Sequence, residues 1–224
     1  MSEAGQACAV LVSGGVDSCV LLAEMCRDYG RVHPLYVRSG LYWEEAERAH
    51  LERFLAALDR AGLQPVQTLE LPAGDIYGQH WSVSGSDMPD AASPDEAVYL
   101  PGRNVLLLAK AMVWCRLHQV GHIALALLKG NPFPDATPEF FARFEQAVNQ
   151  AIEGDIRIHC PYAGLSKLEV LQRGRDLPLE LTCSCIHPEA GQQCGQCNKC
   201  GERRRAFAAA GMIDRTPYLV SDER

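Results

Sequence analysis

Apolar residues along this chain keep two rhythms. Cys8–Val12 (CAVLV) is a short unbroken run that stops at glycines, which predicts a buried strand. From Asp17 to Tyr29 the spacing turns helical, with Gly30 as the expected stop. Val32–Val37 (VHPLYV) predicts a second strand. Glu44–Ala61, rich in Glu, Ala, Leu and Arg, predicts a long helix ending at Gly62, and Pro65–Leu71 alternates like a strand. Pro72–Val98 loses periodicity and gathers Gly, Ser, Asp and Pro. Such a long loop inside a compact domain is commonly a lid or a binding loop. Beyond it the pattern predicts a buried helix over Asn104–Gln119, a strand over His122–Leu128, a helix over Pro138–Glu153 and a strand over Ile156–His159. A last helix spans Ser166–Gly174, with Ser166 and Glu169 at capping-box spacing.

Strands alternating with helices at this spacing imply an α/β fold, a mostly parallel sheet with helices on both faces. No internal repeat is visible. Residues 1–181 carry the alternation and form the expected main domain. Residues 182–224 follow as a small cysteine-rich module. A length of 224 residues, 47% of them hydrophobic, suffices for one well-buried core.

Charge and composition remove several classes. No run of eighteen apolar residues is present, so no membrane-spanning helix is expected. The start MSEAGQACAV lacks a signal-peptide pattern, and the expected location is the cytoplasm. There the 10 cysteines act as metal ligands, nucleophiles or small core residues rather than as a disulfide framework. A net charge of −7 argues against a general nucleic-acid binder, whose affinity rests on phosphate neutralisation. The basic run Arg203-Arg204-Arg205 is expected to be a solvated helix face.

The turn Ser13-Gly14-Gly15-Val16-Asp17-Ser18 between the first strand and helix is the main candidate site. In open α/β sheets ligands bind beyond the carboxyl ends of the strands. Glycines let the backbone approach a ligand with its N–H groups uncovered, and the next helix aims its positive end at the same place. Ser13 and Ser18 add hydroxyls. The turn lacks the lysine of GxxxxGK[ST] and matches neither GxGxxG nor GxSxG. Asp17 would repel a phosphate unless a magnesium ion stood between them; its other reading is a helix cap.

Near the end, CIHPEAGQQCGQCNKC spaces Cys185, Cys194, Cys197 and Cys200 as C-x8-C-x2-C-x2-C. Four thiolates can close a tetrahedral shell, with structural zinc as the default and an iron–sulfur cluster as the rival. Cys183 is an alternative first ligand. Cys8, Cys19, Cys26, Cys115 and Cys160 read as core residues.

SGGVDS after a first strand resembles the PP-loop of the ATP pyrophosphatases, which split ATP to AMP and pyrophosphate. That resemblance implies a Rossmann-like fold of the adenine nucleotide alpha hydrolase type, with Ser13 to Ser18 on the ATP phosphates and Asp17 near Mg2+. The four-cysteine spacing narrows it to the 7-cyano-7-deazaguanine synthase family of queuosine biosynthesis. Leu100-Pro101-Gly102-Arg103-Asn104, Phe133-Pro134-Asp135 with Pro138-Glu139-Phe140, Ser166-Lys167 with Glu169, and Glu180-Leu181-Thr182 resemble its segments in order. The resemblance implies an ATP-dependent carbon–nitrogen ligase joining 7-carboxy-7-deazaguanine and ammonia, a homodimer with no nucleic-acid partner, and Cys185 as first zinc ligand. It also implies catalytic roles for Asp17, Lys167 and Arg103, and substrate contacts at Arg38 and Asp135.

Two stretches depart from the family pattern. Where members carry GQ-[RK]-H, this chain reads Arg38-Ser39-Gly40-Leu41-Tyr42-Trp43. Where they carry SGYPDCR, it reads Gly130-Asn131-Pro132-Phe133-Pro134-Asp135-Ala136-Thr137. An arginine suited to grip a carboxylate is thereby replaced, with Arg38 or Arg103 as stand-ins. A diverged enzyme adenylating another carboxylate, a tRNA-modifying transferase and a non-catalytic nucleotide-binding module are the other readings these motifs fit.

Overall fold

The computed structural model describes residues 3–220. Its centre is a five-stranded sheet in the order β3-β2-β1-β4-β5, with every pairing parallel. The strands are β1 (Glu3–Leu11), β2 (Tyr29–Arg38), β3 (Gln67–Glu70), β4 (His122–Ala124) and β5 (Arg157–His159). The chain builds outward from β1 to β3, then returns to the other side of β1 for β4. The strand order therefore reverses between β1 and β4, where such sheets open a ligand crevice.

Helices cover both faces, as the alternation predicts. Cys8 and Val10 of β1 face one core, shared with α1 (Val16–Asp28), α2 (Glu44–Ala57), α7 (Lys167–Arg173) and α8 (Asn198–Ala209). Ala7 and Ala9 face the other, filled by α5 (Arg103–Leu117) and α6 (Pro138–Ile152). A central parallel strand buried on both sides must be apolar throughout, which is why this segment shows no alternation.

The structure moves several boundaries. Tyr29 already pairs with Glu3, so sheet pairing captures Gly30 inside β2 and the helix ends at Asp28. The second helix ends at Ala57, because Leu58 turns into the core; Gly62 is the place where the backbone crosses the Gly30 carbonyl. Only His122–Ala124 pairs as strand, and Leu125, Ala126 and Leu127 leave the sheet to wall a cavity. The 72–98 stretch contains two single-turn helices, α3 (Gly74–Tyr77) and α4 (Trp81–Ser84), and a 3-10 turn at Asp95–Val98. The Ser166–Glu169 capping box forms as spaced.

The cysteine-rich segment is fastened on two sides. Ala91 N donates to the Gln196 carbonyl and Asn198 Nδ2 to the Ser93 carbonyl, tying it to the long loop. Phe207 of α8 enters the main core. Arg203 corrects the expectation of a solvated basic face: it is 1% exposed. Its guanidinium donates to Thr182 Oγ1 (2.7 Å), to the Leu179 carbonyl (2.8 Å) and to both oxygens of Asp214. Fixed acceptors offset the desolvation that would otherwise expel the charge.

Arg203→Leu leaves the mostly buried Asp214 carboxylate without its cationic partner. Urea denaturation should show a loss of roughly 3–5 kcal/mol.

Candidate active site

The SGGVDS turn links β1 to α1 at the carboxyl edge of the sheet. Gly14 adopts φ +76°, and a side chain there would stand 2.7 Å from the Glu47 carbonyl oxygen. Gly14's own carbonyl accepts from Cys183 N–H at 2.8 Å. Gly15 is the N-cap of α1 and receives no side-chain cap, so Asp17 does not cap this helix. Ser13 and Ser18 lock the turn from within. Ser18 Oγ accepts from Ser13 N (3.2 Å) and donates to the Gly15 carbonyl (3.1 Å), and Ser13 Oγ accepts from Gly15 N (3.3 Å). Val16 is buried beneath it.

Two cavities open on this turn. The first, about 220 Å³, lies between the ends of β1, β2 and β4, against Leu11, Val12, Tyr36, Val37 and Leu125–Leu127. The second, about 270 Å³, runs toward the cysteines and is walled by Trp43, Trp81, Leu100, Phe133, Cys183 and Ile186. Trp43 and Trp81 stack with centroids 5.8 Å apart. Ser13, Gly15, Asp17, Glu47 and Arg103 line both cavities and so mark their junction.

Charge is concentrated there. Lys167 Nζ donates to Asp17 Oδ2 at 2.5 Å and lies 3.8 Å from Glu202, which also takes Lys199 at 2.6 Å. Burial opposes the Lys167 charge, but Asp17 and Glu202 outweigh it and hold the ammonium above its ordinary range. Asp17 Oδ1 and Arg103 Nε are buried with no hydrogen-bond partner. Glu47 is 9% exposed. Burial pushes its carboxyl up to about 8, against the pull of Arg103 and of the Tyr36 hydroxyl, which donates to Oε2 at 2.9 Å.

The residues singled out from sequence divide. Asp17, Lys167 and Arg103 come together at the junction. Asp135 does not line either cavity; its Oδ2 accepts from Asn104 N (2.9 Å) and its carbonyl from Asn104 Nδ2, so it seats the start of α5 and with it Arg103. Arg38 also stands outside both cavities, at the carboxyl end of β2, where Glu45 (2.5 Å) and Glu70 (3.9 Å) engage its guanidinium. Both departing stretches reach the cavities by other residues: Trp43 and Phe133 line the second, and Asn131 lines the first. Glu47, Trp81, Lys199 and Glu202 were not singled out from sequence, and Trp43 only by its place in a departing stretch. Glu47 reads as one acid among many in an acidic helix, and only its burial sets it apart.

Cys185, Cys194, Cys197 and Cys200 place their sulfurs within 4.8 Å of one another. Sulfur–sulfur distances of 3.5, 3.9 and 4.0 Å agree with the ~3.8 Å edge of a tetrahedron built on metal–sulfur bonds of about 2.3 Å. Backbone N–H groups of His187, Cys194, Gln196 and Cys197 point at Cys185 and Cys194 sulfurs at 3.3 Å, as suits thiolate charge. Gly195, at φ +84°, makes the bend. The cluster could hold a metal. Cys183 is outside it; burial, then the nearby Glu47 charge, pushes its thiol up to about 12.

A family model described as "Queuosine biosynthesis protein QueC" matches residues 7–211. The 7-cyano-7-deazaguanine synthase of Thiobacillus denitrificans is 36% identical over 223 residues, covering 93% of this chain and 96% of that protein. The synthase of Solidesulfovibrio magneticus is 34% identical, covering 98% and 99%. Among solved structures, a 4-thiouridine synthetase in complex with RNA and bound ATP superposes with a TM-score of 0.51 at 14% identity. It covers 92% of this chain and 51% of that one, a likeness of fold.

The close approach at Gly14 is testable against Gly40, which has φ +79° but open space around it. Alanine at either position meets left-handed strain of ~1–2 kcal/mol. Gly14→Ala should cost clearly more in urea denaturation, because it must also displace the Glu47 backbone.

Proposed function

The chain belongs to the queuosine biosynthesis protein QueC family, and we propose on that premise that it converts 7-carboxy-7-deazaguanine and ammonia to 7-cyano-7-deazaguanine, with ATP as activating co-substrate. The observation that carries this reading is the meeting of two cavities at one phosphate-type turn. Such a junction suits a transfer between a nucleotide on one side and an acceptor on the other.

The chemistry requires activation. A carboxylate repels nucleophiles, and oxide is a poor leaving group. Transfer of AMP to the carboxylate oxygen gives the carbon a good leaving group, and ammonia then forms the amide. A second adenylation, now on the amide oxygen, lets that oxygen depart and leaves the nitrile. Catalysis of these steps is mostly positioning and neutralisation of charge.

In this reading adenosine occupies the first cavity, and the flat deazapurine lies among Trp43, Trp81 and Phe133 in the second. The turn from Ser13 to Ser18 and the α1 N-terminus hold the phosphates. Arg103, with Nε unpartnered, takes the substrate carboxylate or the transferred phosphate in place of the arginine the family pattern carries elsewhere. Lys167 neutralises the departing pyrophosphate. Asp135 acts by seating Asn104 and Arg103. The orphaned Asp17 Oδ1 fits a magnesium ligand; when bound, Mg2+ supplies neutralisation of phosphate charge. The four cysteine sulfurs fit zinc, which supplies a structural cross-link in the 182–224 module.

The substrates are small molecules, and a net charge of −7 supports no nucleic-acid partner. We assign the reaction to the cytoplasm, where reducing conditions keep the thiolates free. No helix among the described residues is long and apolar enough to cross a membrane. We further assign a homodimer, for which exposed Val113 and Leu117, one turn apart on α5, offer an apolar face.

Incubation with ATP, magnesium, ammonium and 7-carboxy-7-deazaguanine should yield the nitrile by mass spectrometry, with AMP and pyrophosphate. Asp17→Ala should abolish pyrophosphate release; release near the wild-type rate overturns the reading. Elemental analysis should find one zinc per chain, and Cys194→Ser should lose it.

A further inference from the structure

Five residues line both cavities and stand where the transferred atoms would pass. Gly15 has no side chain. Ser13 is engaged with Ser18 and Gly15. Asp17 is held as a charged partner of Lys167 at 2.5 Å. The Arg103 guanidinium cannot release a proton in a protein. Glu47 remains. Among the described residues its Oε2 takes the Tyr36 hydroxyl, and its Oε1 takes no hydrogen bond.

We propose that Glu47 is the catalytic base that removes a proton from ammonia as it attacks the activated carboxyl carbon. The proposal rests on the function assigned above. Ammonia's lone pair forms the new C–N bond, and one N–H proton passes to the free Glu47 oxygen. The C–O bond to AMP then breaks, with its electron pair leaving on the phosphate. The products are the amide, AMP and protonated Glu47, which returns its proton to water through the cavity mouth.

The surroundings suit this task. Tyr36 of β2, Glu44 of α2, Arg103 of α5, Cys19 of α1 and Cys183 all face the carboxyl. Burial and Glu44 raise it, Arg103 and the Tyr36 hydroxyl lower it, and the balance sits at about 8. A base performs best when its affinity for protons lies near the working pH. A surface glutamate would be a weaker acceptor.

The test separates activation from amination. With 7-carboxy-7-deazaguanine present, Glu47→Gln should lower amide formation by roughly 100-fold or more, while ATP–pyrophosphate exchange falls only a few-fold. Hydroxylamine, whose nitrogen stays unprotonated across the range, replaces ammonia for the pH profile. Wild-type hydroxamate formation should rise through about 8, and Glu47→Gln should flatten that rise. Tyr36→Phe keeps the carboxyl but removes the hydrogen bond that favours its charged form, so the rise should move to higher pH. That variant carries the test if Glu47→Gln does not fold. Amide formation by Glu47→Gln at the wild-type rate, or a Tyr36→Phe profile that does not move, overturns the proposal. A wild-type enzyme with no acid-dependent exchange overturns the functional reading itself and this proposal with it; exchange without any effect of Glu47 overturns this proposal alone.

Discussion

The hydrogen bond from Cys183 N–H to the Gly14 carbonyl, 2.8 Å long, is the joint on which this molecule turns. It ties the loop after the first strand to the segment that begins the cysteine cluster, 169 positions later in the chain by 183 less 14. Glycine at position 14 is required on the other side as well, where the Glu47 carbonyl comes too close for a side chain. Three distant pieces of chain therefore meet on one peptide unit. Everything that surrounds the cavity junction inherits its position from that meeting.

Arg203 secures the same joint from below. A buried guanidinium needs nearly all its donors matched, and here Thr182, Leu179 and Asp214 match them. The Thr182 segment can run only where those acceptors are, one residue before Cys183. Above the joint, Glu202 of the cysteine-bearing helix reaches Lys167, which reaches Asp17 of the loop. The cysteine cluster thus lies at one end of an ion-pair chain whose other end is the loop itself. Its sulfurs set where α8 starts, and α8 sets where Glu202 stands.

The two stretches that depart from the family pattern still contribute side chains to the cavities. Trp43 and Phe133 both face the second cavity, although neither stretch offers an arginine there. Arg38, the nearer substitute in sequence, is engaged by Glu45 and Glu70 at the carboxyl end of β2. Arg103 reaches the junction because Asp135 holds the start of its helix through Asn104. The aspartate matters through a neighbour's backbone.

Much of this was legible in the chain itself. A run such as CAVLV ending in glycines reads as a buried strand feeding a turn, and C-x8-C-x2-C-x2-C reads as four thiols around one metal, because both signals are local in the chain. The parallel sheet, the phosphate-type turn and the choice of Cys185 within the cysteine cluster followed from such local rules or from the family pattern built on them. Glu47, Arg203 and the idle position of Arg38 did not. A glutamate in an acidic helix, an arginine in a basic run and an arginine after a strand look alike in sequence whether buried or solvated. Which of them is desolvated, and by whom its charge is met, depends on segments far away along the chain, and only the packed structure brings those segments together.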